Sequence, residues 1–108
     1  MPDDIDREIQ RMLRESLEKM PNIIRSAIFK PKVSATERLK WTEMAVRLIN
    51  GPAGRAPTAV DEKNAREAKD ILRQVVPYLL EIRDSHSSKR LREKADHWVK
   101  EIAKLGPA

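Results

Sequence analysis

Two histidines and 22 lysines and arginines carry most of the chemical potential of this 108-residue sequence. Histidine is the one side chain that ordinarily changes charge near neutral pH, so any acid–base chemistry has to run through His86 or His97. His86 stands in the turn-forming stretch Asp84-Ser-His-Ser-Ser88, where a solvated side chain is the simpler expectation. His97 lies five residues after Arg92 in a segment of helical period. Such a pair suits phosphate chemistry in principle: a guanidinium holds the phosphate while an imidazole exchanges protons with the attacking and leaving oxygens. Glu93, His97 and Glu101 share a helix face, but the Glu-x-x-His pairs of a di-metal bundle occur nowhere. There is no cysteine, which excludes disulfides, thiolate metal sites and a thiol nucleophile. Gly51-Pro-Ala-Gly54 lacks the Lys-Ser/Thr of a phosphate-cradling loop. No metal, cofactor or catalytic residue is assigned, and the expected protein is not an enzyme.

The stretch Arg92-Glu-Lys-Ala-Asp-His97 resembles the Arg-x4-His element of the HEPN family of small all-helical RNases. The resemblance covers six residues and implies that Arg92 and His97 would act together on a scissile phosphate. Glu93 stands where that family usually carries Asn or Asp. An RNase of this kind is the third-ranked reading.

The bases themselves make the larger signal. Residues 25–55 hold seven of them, Arg25, Lys30, Lys32, Arg38, Lys40, Arg47 and Arg55, against Glu37 and Glu43. Residues 89–104 hold six against three acids, led by Lys89, Arg90, Arg92 and Lys94. Residues 56–84 are nearly balanced, and residues 1–24 are mildly acidic. The net charge of +5 is thus gathered into two patches, the arrangement a polyanion-binding surface needs. The competing reading is a solvated face laced by i,i+4 pairs such as Glu43–Arg47, Glu62–Arg66 and Asp96–Lys100, each contributing a few tenths of a kcal/mol. That reading leaves the clustering around Lys30–Lys40 and Lys89–Lys94 unexplained.

These bases point to nucleic acid, held mainly through phosphates. Phe29, Trp41, Tyr78 and Trp98 are the only aromatics and must also serve the core, which argues against single strands held by base stacking. No recognition helix follows a three- or four-residue turn, so base reading is not supported. The expected function is sequence-independent binding of duplex DNA by an architectural or packaging protein, including a nucleoprotein-filament or viral capsid subunit. In architecture alone, proline-jointed basic helices are similar to the helical coat proteins of archaeal filamentous viruses. The alternative is a helical protein–protein interaction module that self-associates.

The elements that must position these residues all read as helices. Ile5, Ile9, Met12, Leu13, Leu17 and Met20 make one apolar stripe over residues 3–20, with Asp3, Asp4 and Asp6 at its start and Pro21 expected to end or kink it. Residues 22–29 form a short apolar piece, after which Lys30-Pro31-Lys32 predicts an extended joint. Ser34 and Glu37 predict a reciprocal capping box opening a helix over 34–50 that is buried on two sides. Thr58 and Asp61 open a helix over 58–84. Within it Pro77 predicts a kink, and the run Val75–Leu80 is expected to be buried. Ser87 or Ser88 opens the last helix, 88–105, whose Leu91, Ala95, Trp98, Ile102 and Leu105 form the cleanest stripe in the chain.

The expected fold is therefore all-α: a single domain over 1–108, a bundle of four main helices plus one short helix, proline-jointed, with an open arrangement inside an assembly as the variant. The longest apolar run is far short of the ~20 residues that span a bilayer. An acidic start in place of a signal peptide predicts an intracellular protein, or one inside a nucleoprotein particle, and not a secreted one.

Overall fold

The computed structural model describes Arg7, residues 17–51, Gly54 and residues 56–105. Among these residues a 3-10 turn at Leu17–Lys19 leads into four α-helices: α1 (Met20–Ile28), α2 (Ala35–Asn50), α3 (Ala59–Ser85) and α4 (Lys89–Lys104). No described residue is in a strand. The helix expected over 3–20 falls almost wholly outside the described residues.

Pro21 stands in the first turn of α1, where its missing N–H would have had no intrahelical partner. The short apolar piece accordingly starts earlier than residue 22. The other three helices begin where their caps predict. Ser34, Thr58 and Ser88 each accept a backbone N–H from the residue three further on, Glu37, Asp61 and Leu91. Only Thr58–Asp61 closes the full reciprocal box, with the Asp61 carboxylate 2.8 Å from the Thr58 nitrogen. At Ser34 the carboxylate half is not formed. α2 ends at Gly51, whose φ of +84° is one that glycine adopts without strain.

Helix α3 is the spine. At 27 residues it is about 40 Å long, matching the 41 Å longest dimension of the molecule. It stays one helix through Pro77. That proline is exposed, as is Arg73, whose carbonyl it leaves without an intrahelical N–H. The apolar run around it divides: Val75 and Leu79 are fully buried, while Tyr78 stays 40% exposed.

Pairs of contacts set the directions. Arg25 meets Asp70 at 3.6 Å, and Phe29 meets Tyr78 with ring centroids 5.9 Å apart, so α1 and α3 ascend together. Arg38, near the start of α2, lies over Tyr78 near the end of α3, so α2 descends. Three residues then join α3 to α4, and Arg83 reaches Asp96 at 3.8 Å, so α4 descends as well. The result is an up-and-down bundle with α2 packed against all three other helices.

The core runs through Ile24 and Ile28 of α1, Leu39, Met44 and Ala45 of α2, Ala68, Ile71, Leu72, Val75 and Leu79 of α3, and Ala95 and Ile102 of α4. Leu91 and Trp98, expected in its centre, are half-buried at its edge. Among the described residues the buried polar ones are Thr42 and Asn64. The Thr42 hydroxyl donates to the Arg38 carbonyl one turn back at 2.8 Å.

Candidate nucleic-acid interface

The joint between α1 and α2 is a tight turn and not an extended link. The Val33 N–H donates to the Lys30 carbonyl at 3.2 Å. Pro31 takes the second position of the turn, which its fixed φ suits, and Lys32 the third, at φ +64°. Positive φ there is ordinarily the place of glycine or asparagine, and a side chain held in it costs roughly 1 kcal/mol. Lys30 and Lys32 are both exposed on this turn and have no ion pair among the described residues.

Arg38 is close by but differently employed. Its Nε donates to the Ile28 carbonyl at 3.1 Å, satisfying the C-terminal end of α1. Its guanidinium also lies 4.3 Å from the centre of the Tyr78 ring, which in turn packs on Phe29. One side chain thereby ties α1, α2 and α3 together at the joint.

The second basic cluster opens α4. Lys89 faces Glu93 at 3.9 Å, and both are well exposed. Arg92 turns back to donate to the His86 carbonyl at 3.3 Å. The same histidine accepts the Ser88 N–H on Nδ1 at 2.9 Å, so His86 orders the turn between α3 and α4. Arg90 and Lys94 are exposed one turn apart on α4, without an ion pair among the described residues.

The bundle brings these two clusters to one end. Phe29, at the start of the joint, packs on Tyr78; from there α3 rises seven residues, about 10 Å, to its end at Ser85, and α4 begins three residues later. Lys30 and Lys32 therefore share the upper end of the molecule with Lys89 and Arg90, although the clusters lie far apart along the chain. Four exposed acids, Glu37, Glu81, Asp84 and Glu93, belong to the same region. Asp84 is engaged by Arg83 at 3.0 Å, and Glu93 by Lys89.

Other bases of the first patch are engaged elsewhere or differently. Arg25 pairs with Asp70 partway down α1. Lys40 stacks against Trp41, its Nζ 5.7 Å from the ring centre. Arg47 pairs with Glu43 at 3.4 Å and sits about 20 Å down α2 from Ser34. Arg55 lies outside the described residues. Of the expected i,i+4 pairs, Glu43–Arg47 and Asp96–Lys100 form, whereas Arg66 makes no ion pair with Glu62.

The Arg92/His97 pair is not brought together. Five residues of helix turn the two side chains about 140° apart, Arg92 is engaged at His86, and His97 is exposed with its ring edge against Trp98. Among the described residues no three of His, Asp and Glu come together as metal ligands, so Glu93, His97 and Glu101 do not form such a set. No helix among them is long and apolar enough to cross a membrane.

Lys19 was not singled out from the sequence. With Asn22, Ile23, Ser26, Ala27 and Lys30 it lines a groove along the outer side of α1, closed on one side by Trp41 of α2. Neither Lys19 nor the exposure of Ile23, at 36%, carries a local signal, because both depend on which face α1 turns inward.

No family model, no curated protein and no solved structure matches this chain.

Proposed function

We propose that this protein binds nucleic acid, duplex DNA in the first instance, through phosphates and without reading bases, in an architectural or packaging role. What supports this reading is that the helix directions carry Lys30 and Lys32 toward the same end of the bundle as Lys89 and Arg90. Exposed cations gathered on one surface can neutralise neighbouring phosphates and release their counterions, which supplies affinity independent of sequence. Lys32 adds support. A lysine occupies a backbone position that glycine would fill at lower energy, as expected where charge is retained at the expense of stability. The one exposed aromatic, Tyr78, is covered by Arg38, which leaves little platform for stacking single-stranded bases.

The test is a titration of labelled duplex DNA, duplex RNA and single strands at several salt concentrations. Wild type is expected to bind duplex DNA with a slope of log K against log[salt] of roughly −4, if about four or five phosphates are neutralised. Replacing Lys30, Lys32, Lys89 and Arg90 by Gln is expected to weaken binding equally on every sequence and to remove most of that slope. A control with Gln at Lys63, Arg66 and Lys69 of α3, where bases alternate with acids, should bind within about twofold of wild type. Failure of wild type to bind at low salt, or an equal loss in the control, overturns the reading.

A further inference from the structure

The groove on α1 has a different chemistry from the basic end and implies a different occupant. Its floor is Ile23, Ala27 and the face of Trp41, and its two ends are marked by Lys19 and Lys30. Lys40 lies against the outer side of the same indole. Among the described residues no acid lines it. The groove has a volume of about 660 Å³ and runs from Lys19 to Lys30, just past both ends of α1, about 16 Å at the helical rise. An apolar strip of that length between lysines suits the apolar face of a helix with an acidic flank, the helix-in-groove mode of recognition.

The chain itself contains such a segment. Residues 3–16 carry Ile5, Ile9, Met12 and Leu13 at helical spacing, with Asp3, Asp4, Asp6 and Glu8 against Arg7 in the first half and Arg11, Arg14 and Glu15 in the second, so the acidic flank is the N-terminal one. Apart from Arg7 this segment lies outside the described residues. Its apolar positions span eight residues, about 12 Å as a helix, which fits the groove. A chain could fill its own groove only by reversing before Leu17, a turn that a second copy does not need. Lys19 has right-handed helical angles, φ −90° and ψ −8°, so Leu17–Lys19 run into α1 without reversing, while the groove leads the opposite way, toward Lys30. We propose that residues 3–16 of a second copy occupy the groove lined by Ile23 and Trp41. The contact is head-to-tail, so repeated copies make an open chain unless the rotation between them closes a ring. It rests on the apolar groove and is independent of the nucleic-acid reading.

Sedimentation velocity on the full chain, stripped of nucleic acid by nuclease and high salt, tests this over a wide range of concentration. Wild type is expected to form species that grow with concentration and shrink in salt, because the lysines contribute attraction that salt screens. Ile23→Asp spoils the groove at an already exposed position, and Ile9→Asp spoils the segment; each alone should be monomeric. Mixed, the intact segment of the Ile23→Asp copy meets the intact groove of the Ile9→Asp copy, and assembly should stop at a dimer. Lys19→Glu, a surface change that circular dichroism can show to be folded, should weaken association severalfold by charge alone. The proposal is overturned if wild type stays monomeric, if association survives either Asp variant, or if the mixture remains monomeric. A monomeric wild type would place the segment on its own chain or on no chain at all.

Discussion

Lys32 and Arg38 show how differently two bases six residues apart are used. Arg38 spends its guanidinium on the Ile28 carbonyl and the Tyr78 ring, so it belongs to the fold. Lys32 is exposed, makes no ion pair among the described residues, and is held at φ +64°. That contrast yields a prediction with two opposed readouts. Lys32→Gly relieves the positive φ, partly offset by the greater freedom of glycine in the unfolded chain, and is expected to stabilise by about 0.5–1 kcal/mol. The same change removes a phosphate contact and should flatten the salt slope for DNA by about one unit. Urea unfolding and DNA titration on one variant check both. If Lys32→Gly stabilises and binds DNA as wild type does, the turn is a structural feature and this lysine has no part in binding.

At the scale of the elements, amphipathic pattern and actual burial part company in α4. Its stripe is the most regular in the sequence, yet only Ala95 and Ile102 are buried, while Leu91 and Trp98 cover the edge. α3 holds the centre because α1, α2 and α4 all pack on it. Truncation costs should follow burial and not side-chain size. Ile71→Ala, at a fully buried site on α3, is expected to cost about 2–5 kcal/mol. Trp98→Ala loses only part of the area of a buried indole and should cost less, about 1–3 kcal/mol. Chemical denaturation of both variants checks the order, and a larger loss for Trp98→Ala would mean that α4 contributes more of the core than its burial indicates.

For the whole molecule, the decisive feature is that the first basic patch is divided. A bundle whose helices alternate in direction sends the two ends of α2 to opposite ends of the molecule. Lys30 and Lys32 therefore stay with the start of α4, whereas Arg47 is carried about 20 Å away and pairs with Glu43. Arg47→Gln should leave the DNA affinity within about twofold, since exposed i,i+4 pairs are weak and the site is beyond a Debye length from the basic end. Lys30→Gln should lower it severalfold at low salt. Equal effects at the two positions would mean that the duplex lies along α2 and not across the end of the bundle.

Much of this was legible in the residues alone. The all-helical class, the starts of α2, α3 and α4, and the stop at Gly51 follow from local rules: hydroxyl caps satisfy the first free N–H groups, and glycine tolerates a positive φ. Local rules fell short where one residue serves two purposes. Pro21 can end a helix or begin one, and Pro31 can extend a chain or turn it; the choice depended on what the flanking segments pack against. The positions of the basic side chains relative to one another were beyond any local rule. Lys30 and Lys89 come to the same end of the bundle because Phe29 and Arg38 find Tyr78, a partner 49 and 40 residues along the chain. Composition determined that the chain is helical and basic. Long-range packing alone decided which bases share a surface, because burial of each helix's apolar face sets its direction and rotation, and charged residues follow wherever that burial turns them.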